Sequence, residues 1–266
     1  MAINLGFTER FRFTKFSYKG LNTMNKSNRT FYSSHLNKTL DYMVLTLSKN
    51  IEDAYLLYIQ DGRDYLELGG LENAIQDLVR VNPELANHLV LVLIHPGDSI
   101  ERWESFSRSG SSFHQYLRFM NDEFIPEFER NLGASISKRG LLGDSLAGNI
   151  SLNIALEKPE RWTHLLLQSP AISDGDIQRV EEVDVSGWNV LQTVGTYEDE
   201  FISSISNEKL YILTRNRELY KSFSSKNINM QYIETDDEHL WKVWERDLPR
   251  ALEFFCWDRG TGPLSL

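Results

Sequence analysis

One serine in this chain stands in surroundings suited to a nucleophile. The stretch Leu141-Leu142-Gly143-Asp144-Ser145-Leu146-Ala147-Gly148-Asn149-Ile150 ends an apolar run at Gly143, and a helical pattern opens at Ile150, Ile154 and Ala155. Written as a pattern it is G-x-S-x-A-G. A hydroxyl projected from a sharp strand-to-helix turn takes strained backbone angles and crowds the residues two before and two after it, so both must be small. Gly143 and Ala147 meet that demand. The helix that follows aims its free N–H groups and positive dipole end at the hydroxyl. The chemistry served would be attack of a serine on an acyl carbon. An ordinary glycine-containing turn produces the same letters by chance, so the pattern needs partners elsewhere.

A serine nucleophile needs a base, and the base needs an acid that fixes its tautomer. On a parallel sheet these follow in the order Ser, acid, His, each on a loop at the C-terminal edge of a strand. After an apolar run at 189–194 comes Gly195-Thr196-Tyr197-Glu198-Asp199-Glu200. After a second run at 230–233 comes Glu234-Thr235-Asp236-Asp237-Glu238-His239, and then a helical pattern. His239 lies 94 residues beyond Ser145 and is the last histidine of the chain, which makes it the candidate base. The residues leave the acid open among Glu198, Asp199 and Glu200, with Asp236 a further choice. A solvated loop histidine and a solvated acidic turn are the competing readings.

Developing negative charge on the attacked oxygen calls for two backbone N–H donors. Leu146, directly after the serine, supplies one by position. The other should come from a loop after an earlier central strand, where Gln60-Asp61-Gly62-Arg63 stands. Gly62 permits close backbone approach, and the donor is Gly62 or Arg63. A plain Asp-Gly turn reads the same way.

The elements that must position these residues follow from hydrophobic spacing. Residues 11–18 and 40–47 read as early, partly alternating strands, with a polar surface loop at 20–34 between them. Residues 54–59 (Ala-Tyr-Leu-Leu-Tyr-Ile) and 89–94 (Leu-Val-Leu-Val-Leu-Ile) are continuous apolar runs, as in strands buried on both faces. Residues 138–142 lead into the serine turn, and 164–168, 189–194 and 230–233 supply further strands. Helical spacing covers 71–81, 113–132 with a break or kink at Pro126, a segment from 208 or 214 to 224, and 241–255. Strands alternating with helices predict an α/β fold: a mostly parallel central sheet with helices on both faces. No linker divides the chain, so residues 1–266 read as a single domain whose first 34 residues form a peripheral strand and loop.

Composition narrows the partners. With 28 Lys and Arg against 38 Asp and Glu, the net charge of −10 argues against nucleic acid and anionic membranes. The single cysteine, Cys256, excludes an internal disulfide framework, argues against a zinc-thiolate site and fits a reducing compartment. Residues 1–19 lack the apolar core of a signal peptide, and no run approaches the ~20 apolar residues of a membrane span. The expected location is cytoplasmic. Neither G-x-G-x-x-G nor a P-loop occurs, so no nucleotide cofactor is implied, and the proposed chemistry needs no metal. Self-association into a homo-oligomer is compatible with this composition.

A family resemblance rests on several segments taken in order. They are Tyr58-Ile59-Gln60-Asp61-Gly62-Arg63-Asp64-Tyr65, Arg102-Trp103-Glu104-Ser105-Phe106, Phe124-Ile125-Pro126-Glu127-Phe128, 139–148 around the serine, and His239-Leu240-Trp241-Lys242-Val243-Trp244. Across roughly residues 35–256 the chain resembles the enterochelin-esterase-like branch of the α/β-hydrolases, which also includes feruloyl esterase domains and S-formylglutathione hydrolase. The resemblance implies a compact α/β-hydrolase without a large cap and a serine esterase acting on a small-molecule ester. It places the acid after a Gly-Thr-x turn, at Glu198, and suggests Arg102 as a clamp for an anionic or catecholate substrate. Three positions depart from the family pattern. Ala147 stands where glycine is usual, Glu198 where many relatives have aspartate, and Glu-His-Leu-Trp where Gly-Gly-His is commoner.

Several residues have plainer readings. Arg102 would equally serve as a surface arginine paired with Glu101 or Glu104. His95 is expected to be a structural, hydrogen-bonded histidine, with pocket lining as its alternative. Asp144 sits at the turn itself and should point away from its own serine. His164 reads as structural, Trp241 and Trp244 as packing on the sheet, and 181–184 as a solvated acidic face. The function these features imply is hydrolysis of a small carboxylic ester through an acyl-enzyme on Ser145. A thioesterase or peptidase with the same machinery, or a non-catalytic binding protein on the same fold, are the alternatives.

Overall fold

Apolar runs without polar interruption need cover on both faces, and the chain provides it with helices on each side of one sheet. The computed structural model describes residues 24–51, 53–205 and 207–257. Among these, β1 (Asn25–Ser33), β2 (Lys38–Thr46), β3 (Asp53–Gln60), β4 (Leu89–Ile94), β5 (Ser135–Asp144), β6 (His164–Gln168), β7 (Asn189–Gly195) and β8 (Asn229–Thr235) form an eight-stranded sheet. Its order is β1-β2-β4-β3-β5-β6-β7-β8. The β1–β2 and β2–β4 pairs are antiparallel and every other pair is parallel.

The helices are α1 (Gly62–Glu67), α2 (Leu71–Val81), α3 (Ser99–Phe106), α4 (Phe113–Arg118), α5 (Ile125–Leu132), α6 (Ser145–Glu157), α7 (Asp174–Glu182), α8 (Ile212–Ser224) and α9 (Trp241–Cys256). Alternation along each strand splits the core in two. Leu56, Tyr58, Val90, Val92 and Leu141 pack with α4, α5 and α6, while Leu57, Ile59, Leu91, Leu93 and Leu142 pack with α2 and α9. Cys256 closes α9 as a buried free thiol, pushed up to about 12 by burial.

The chain leaves β3 toward β4 on one side and reaches β5 on the other. Ligands of open α/β sheets bind at such a switch point, beyond the C-terminal strand ends. Here Ile59 pairs with Leu142, so the loops that open at Asp61 and at Ser145 emerge side by side.

Two expectations change. Residues 25–33, read as loop, form strand β1, which pairs with β2 through a turn at 34–37. The strand is largely exposed, so an edge position lets it stay polar; Phe31 reaches the core against Phe119 and Phe124. The strand expected at 11–18, and the start of that loop, lie outside the described residues. The helix expected over 113–132 is divided by a π-helical turn, Phe119–Phe124, just before Pro126 at the second position of α5. Proline cannot donate the next intrahelical bond, and the widened turn absorbs the break.

Candidate active site

The serine turn is built as its composition demands. Ser145 has φ +46°, in the left-handed region, at the start of α6. A Cβ on Gly143 would lie 2.2 Å from the Ala147 carbonyl oxygen, so the backbones of 143 and 147 touch. Ala147 departs from the family glycine at no visible cost, because its methyl group is fully buried in the core beneath α6. Gly143→Ala is therefore expected to cost at least about 1–3 kcal/mol and to displace Ser145. A denaturant midpoint equal to wild type would contradict this.

Three distant side chains converge on the turn. His239 Nε2 lies 2.8 Å from Ser145 Oγ, and His239 Nδ1 lies 2.6 Å from Glu198 Oε2. Glu198 is fully buried, and its other oxygen, Oε1, accepts from Ser169 Oγ at 2.7 Å and from the Gly195 N–H at 2.7 Å. Ser169 in turn accepts from the Trp244 indole N–H at 3.1 Å. With a carboxylate facing Nδ1, that nitrogen carries the proton and Nε2 is left to accept from the serine hydroxyl. Phe201 at 4.4 Å and Trp244 at 4.9 Å flank the imidazole ring. The Glu-His-Leu-Trp segment thus brings His239 within hydrogen-bond reach of Ser145.

The neighbouring acids are used elsewhere. Asp199 accepts from the Thr214 N–H at 2.9 Å and Thr214 Oγ1 at 2.6 Å, holding the first turn of α8. Glu200 pairs with Lys209, and Asp236 accepts from Thr196 Oγ1. Of the open choices, only Glu198 meets the imidazole.

The donors expected for an oxyanion sit at helix starts, where N–H groups have no intrahelical partner. Leu146 is in the first turn of α6. Gly62 and Arg63 open α1, whose Asp61 carbonyl already takes the N–H groups of Asp64 and Tyr65. The glycine at 62 answers to packing rather than to a ligand, since a Cβ there would lie 2.4 Å from the Leu93 Cβ. The Arg63 side chain is exposed.

Arg102 differs from the expected surface arginine only in its partners. It pairs with neither Glu101, which binds Lys38, nor Glu104, which accepts from the Ser111 N–H. Its Nε donates to Asp61 Oδ2 at 2.5 Å, and a terminal nitrogen lies 3.8 Å from Asp144 Oδ2. Burial, then the Asp61 charge, push the Asp144 carboxyl well above the usual carboxylate range, with Arg102 opposing. His95 follows its alternative reading rather than the hydrogen-bonded one: its Nδ1 is buried without a hydrogen-bond partner among the described residues, and the ring lines a cavity of about 610 Å³ with Arg63 and Leu93. A second cavity, about 470 Å³, is lined by Leu146, Asn149, Ala171, Trp103, Arg108 and Leu210. His164 bonds Thr163 Oγ1 at 2.8 Å and packs on Phe254 and Phe255, as a structural histidine does.

Ser169, Gly195, Phe201 and the Trp244 indole were not foreseen as part of the site. The one sequence signal was position: Ser169 directly follows β6, at the sheet edge where such sites lie.

Comparison with known proteins agrees with this architecture. The chain is 25% identical over 236 residues to "Uncharacterized protein YjcH" of Bacillus subtilis (strain 168), covering 85% of this chain and 95% of the relative. Among solved structures it is similar to a ferulic acid esterase, with a TM-score of 0.67, 19% identity, and coverage of 87% of this chain and 98% of that one. It is also similar to the enterobactin esterase of Shigella flexneri in the presence of enterobactin, with a TM-score of 0.70 and 18% identity. That match covers 86% of this chain and 58% of the other. The family model described as "Putative esterase" matches residues 49–255, which hold β3 to β8 and the helices from α1 to α9, and the chain belongs to that family.

Proposed function

We propose that this chain is a serine hydrolase that cleaves a small carboxylic ester through an acyl-enzyme on Ser145. The observation that carries the reading is the unbroken line from Glu198 through His239 to Ser145, with contacts of 2.6 and 2.8 Å. His239 Nε2 takes the hydroxyl proton as Oγ attacks the ester carbonyl. The carbonyl oxygen becomes an oxyanion, held by the N–H of Leu146 and that of Gly62 or Arg63. Glu198 stabilises the imidazolium without taking its proton. The imidazolium then protonates the departing alcohol oxygen as the ester C–O bond breaks. Water, deprotonated by the same nitrogen, attacks the acyl-enzyme and releases the acid and free Ser145. Cavities of about 470 and 610 Å³ flank the two sets of donors and offer room for groups on either side of the ester.

A panel of para-nitrophenyl esters of graded acyl length tests this reading. The wild-type chain is expected to turn over the shorter members, with a burst of nitrophenol equal to the enzyme concentration when deacylation is slow. No turnover and no burst on any member would contradict it. Hydrolysis should fall as pH is lowered, because a protonated imidazole cannot accept the serine proton.

A further inference from the structure

Two loops must be held in register for the proposed chemistry, and both begin with a buried aspartate. Asp61, at the end of β3, precedes Gly62; Asp144, at the end of β5, precedes Ser145. Both are almost completely buried, at 0% and 1% side-chain exposure. Two of the four residues at these junctions, Asp61 (φ +56°) and Ser145 (φ +46°), hold left-handed backbone angles, a conformation that persists only where the surroundings enforce it. Among the described residues, the guanidinium near both carboxyls is that of Arg102, on α3, with Nε at 2.5 Å from Asp61 and a terminal nitrogen at 3.8 Å from Asp144. The Phe106 ring lies 6.0 Å from its Cζ on the same helix.

We propose that Arg102 is a positioning residue: its guanidinium ties the loop carrying Gly62 and Arg63 to the loop carrying Ser145 and Leu146, and so fixes the spacing of the oxyanion donors. The inference rests on the serine-hydrolase reading. It differs from the substrate-clamp role suggested by family resemblance. The bond from Nε to the buried Asp61 carboxylate forms without any ligand, which a positioning role requires and a clamp does not. The Oδ1 atoms of both aspartates are buried without a partner among the described residues, so removing Arg102 would leave two poorly satisfied carboxyls under the site. The loops could then relieve them only by moving apart or admitting water. A displacement of about 1 Å at a reacting centre can cost 10²-fold in rate.

The test uses a neutral substrate, para-nitrophenyl acetate, which has no anionic group for a clamp to hold. Arg102→Met, Arg102→Lys, Asp61→Asn and the double variant Asp61→Asn/Arg102→Met are compared, with kcat counted per titratable serine so that misfolded protein does not contribute. Arg102→Met and Asp61→Asn are each expected to lower kcat about 10- to 100-fold, with KM within about twofold of wild type. Arg102→Lys should fall between Arg102→Met and wild type, since one ammonium reaches one carboxyl at a time. The double variant should be little worse than the worse single one, because the two residues form one tie. Wild-type kcat in Arg102→Met, or additive losses, would overturn the inference while leaving the esterase reading intact. Should Arg102→Met fail to fold, the near-isosteric Asp61→Asn and the Arg102→Lys variant decide by the same criteria. A wild-type chain inactive on every aryl ester would overturn the esterase reading, and this inference with it.

Discussion

Ser145→Ala is expected to abolish hydrolysis of a simple aryl ester, lowering kcat by on the order of 10⁴ to 10⁶, in a chain that unfolds as wild type does. Alanine keeps the small side chain at a position whose left-handed φ is already imposed by the touching backbones of 143 and 147. Only the hydroxyl is lost. His239→Ala should remove nearly as much activity, because Oγ then has no acceptor for its proton. The double variant should be little worse than either single one, since nucleophile and base act as a unit. More than a tenth of wild-type activity in Ser145→Ala, or normal activity in His239→Ala, would contradict the roles proposed for them.

The second large effect separates the acids. Glu198→Gln is expected to lower kcat by as much as ~10⁴, and Asp199→Asn to leave it near wild type. The hydrogen bonds around Glu198 explain why the amide should be so harmful. Oε1 accepts from both Ser169 and the Gly195 N–H, so a glutamine carbonyl would be held there. Its NH₂ group would then face His239 Nδ1 and favour the tautomer with the proton on Nε2. That nitrogen could no longer accept from Ser145. Asp199→Asn instead weakens the hold on α8 at Thr214 and should cost about 1 kcal/mol of stability, with kcat little changed. Steady-state kinetics on the two variants side by side, with folding checked, decides the matter. A crippled Asp199→Asn and a near-normal Glu198→Gln would reverse the assignment.

The strands and helices with unbroken periodicity were legible from sequence to the residue, as at Leu71–Val81, Leu89–Ile94 and His164–Gln168. These segments are buried along one stripe or on both faces, so burial writes itself into residue type. Strand β1 was not legible, because an exposed edge carries no such signature. Helix α3 is absent from the segments that hydrophobic spacing predicts, although Asp98 and Glu101 form a capping box at its start. Ser145 and His239 could be singled out because local composition and chain order both mark them. Ser169 and Trp244 could not, since their bond spans 75 residues and depends on how α9 lies over β6. The partners of Arg102 were missed for a related reason: Asp61 is 41 residues upstream, while two glutamates lie next to it in sequence. Pairing across strand ends is set by topology, which local spacing does not encode.

The most direct measurement is the reaction of the native chain with a fluorophosphonate, followed by intact mass and peptide mapping. Such a probe phosphonylates a serine only where a base activates it and an oxyanion site accepts the phosphoryl oxygen. The wild-type chain is expected to take up one probe, on Ser145, with labelling absent in Ser145→Ala and strongly slowed in His239→Ala. An unlabelled wild-type chain, or a label mapped to another serine, would contradict the account.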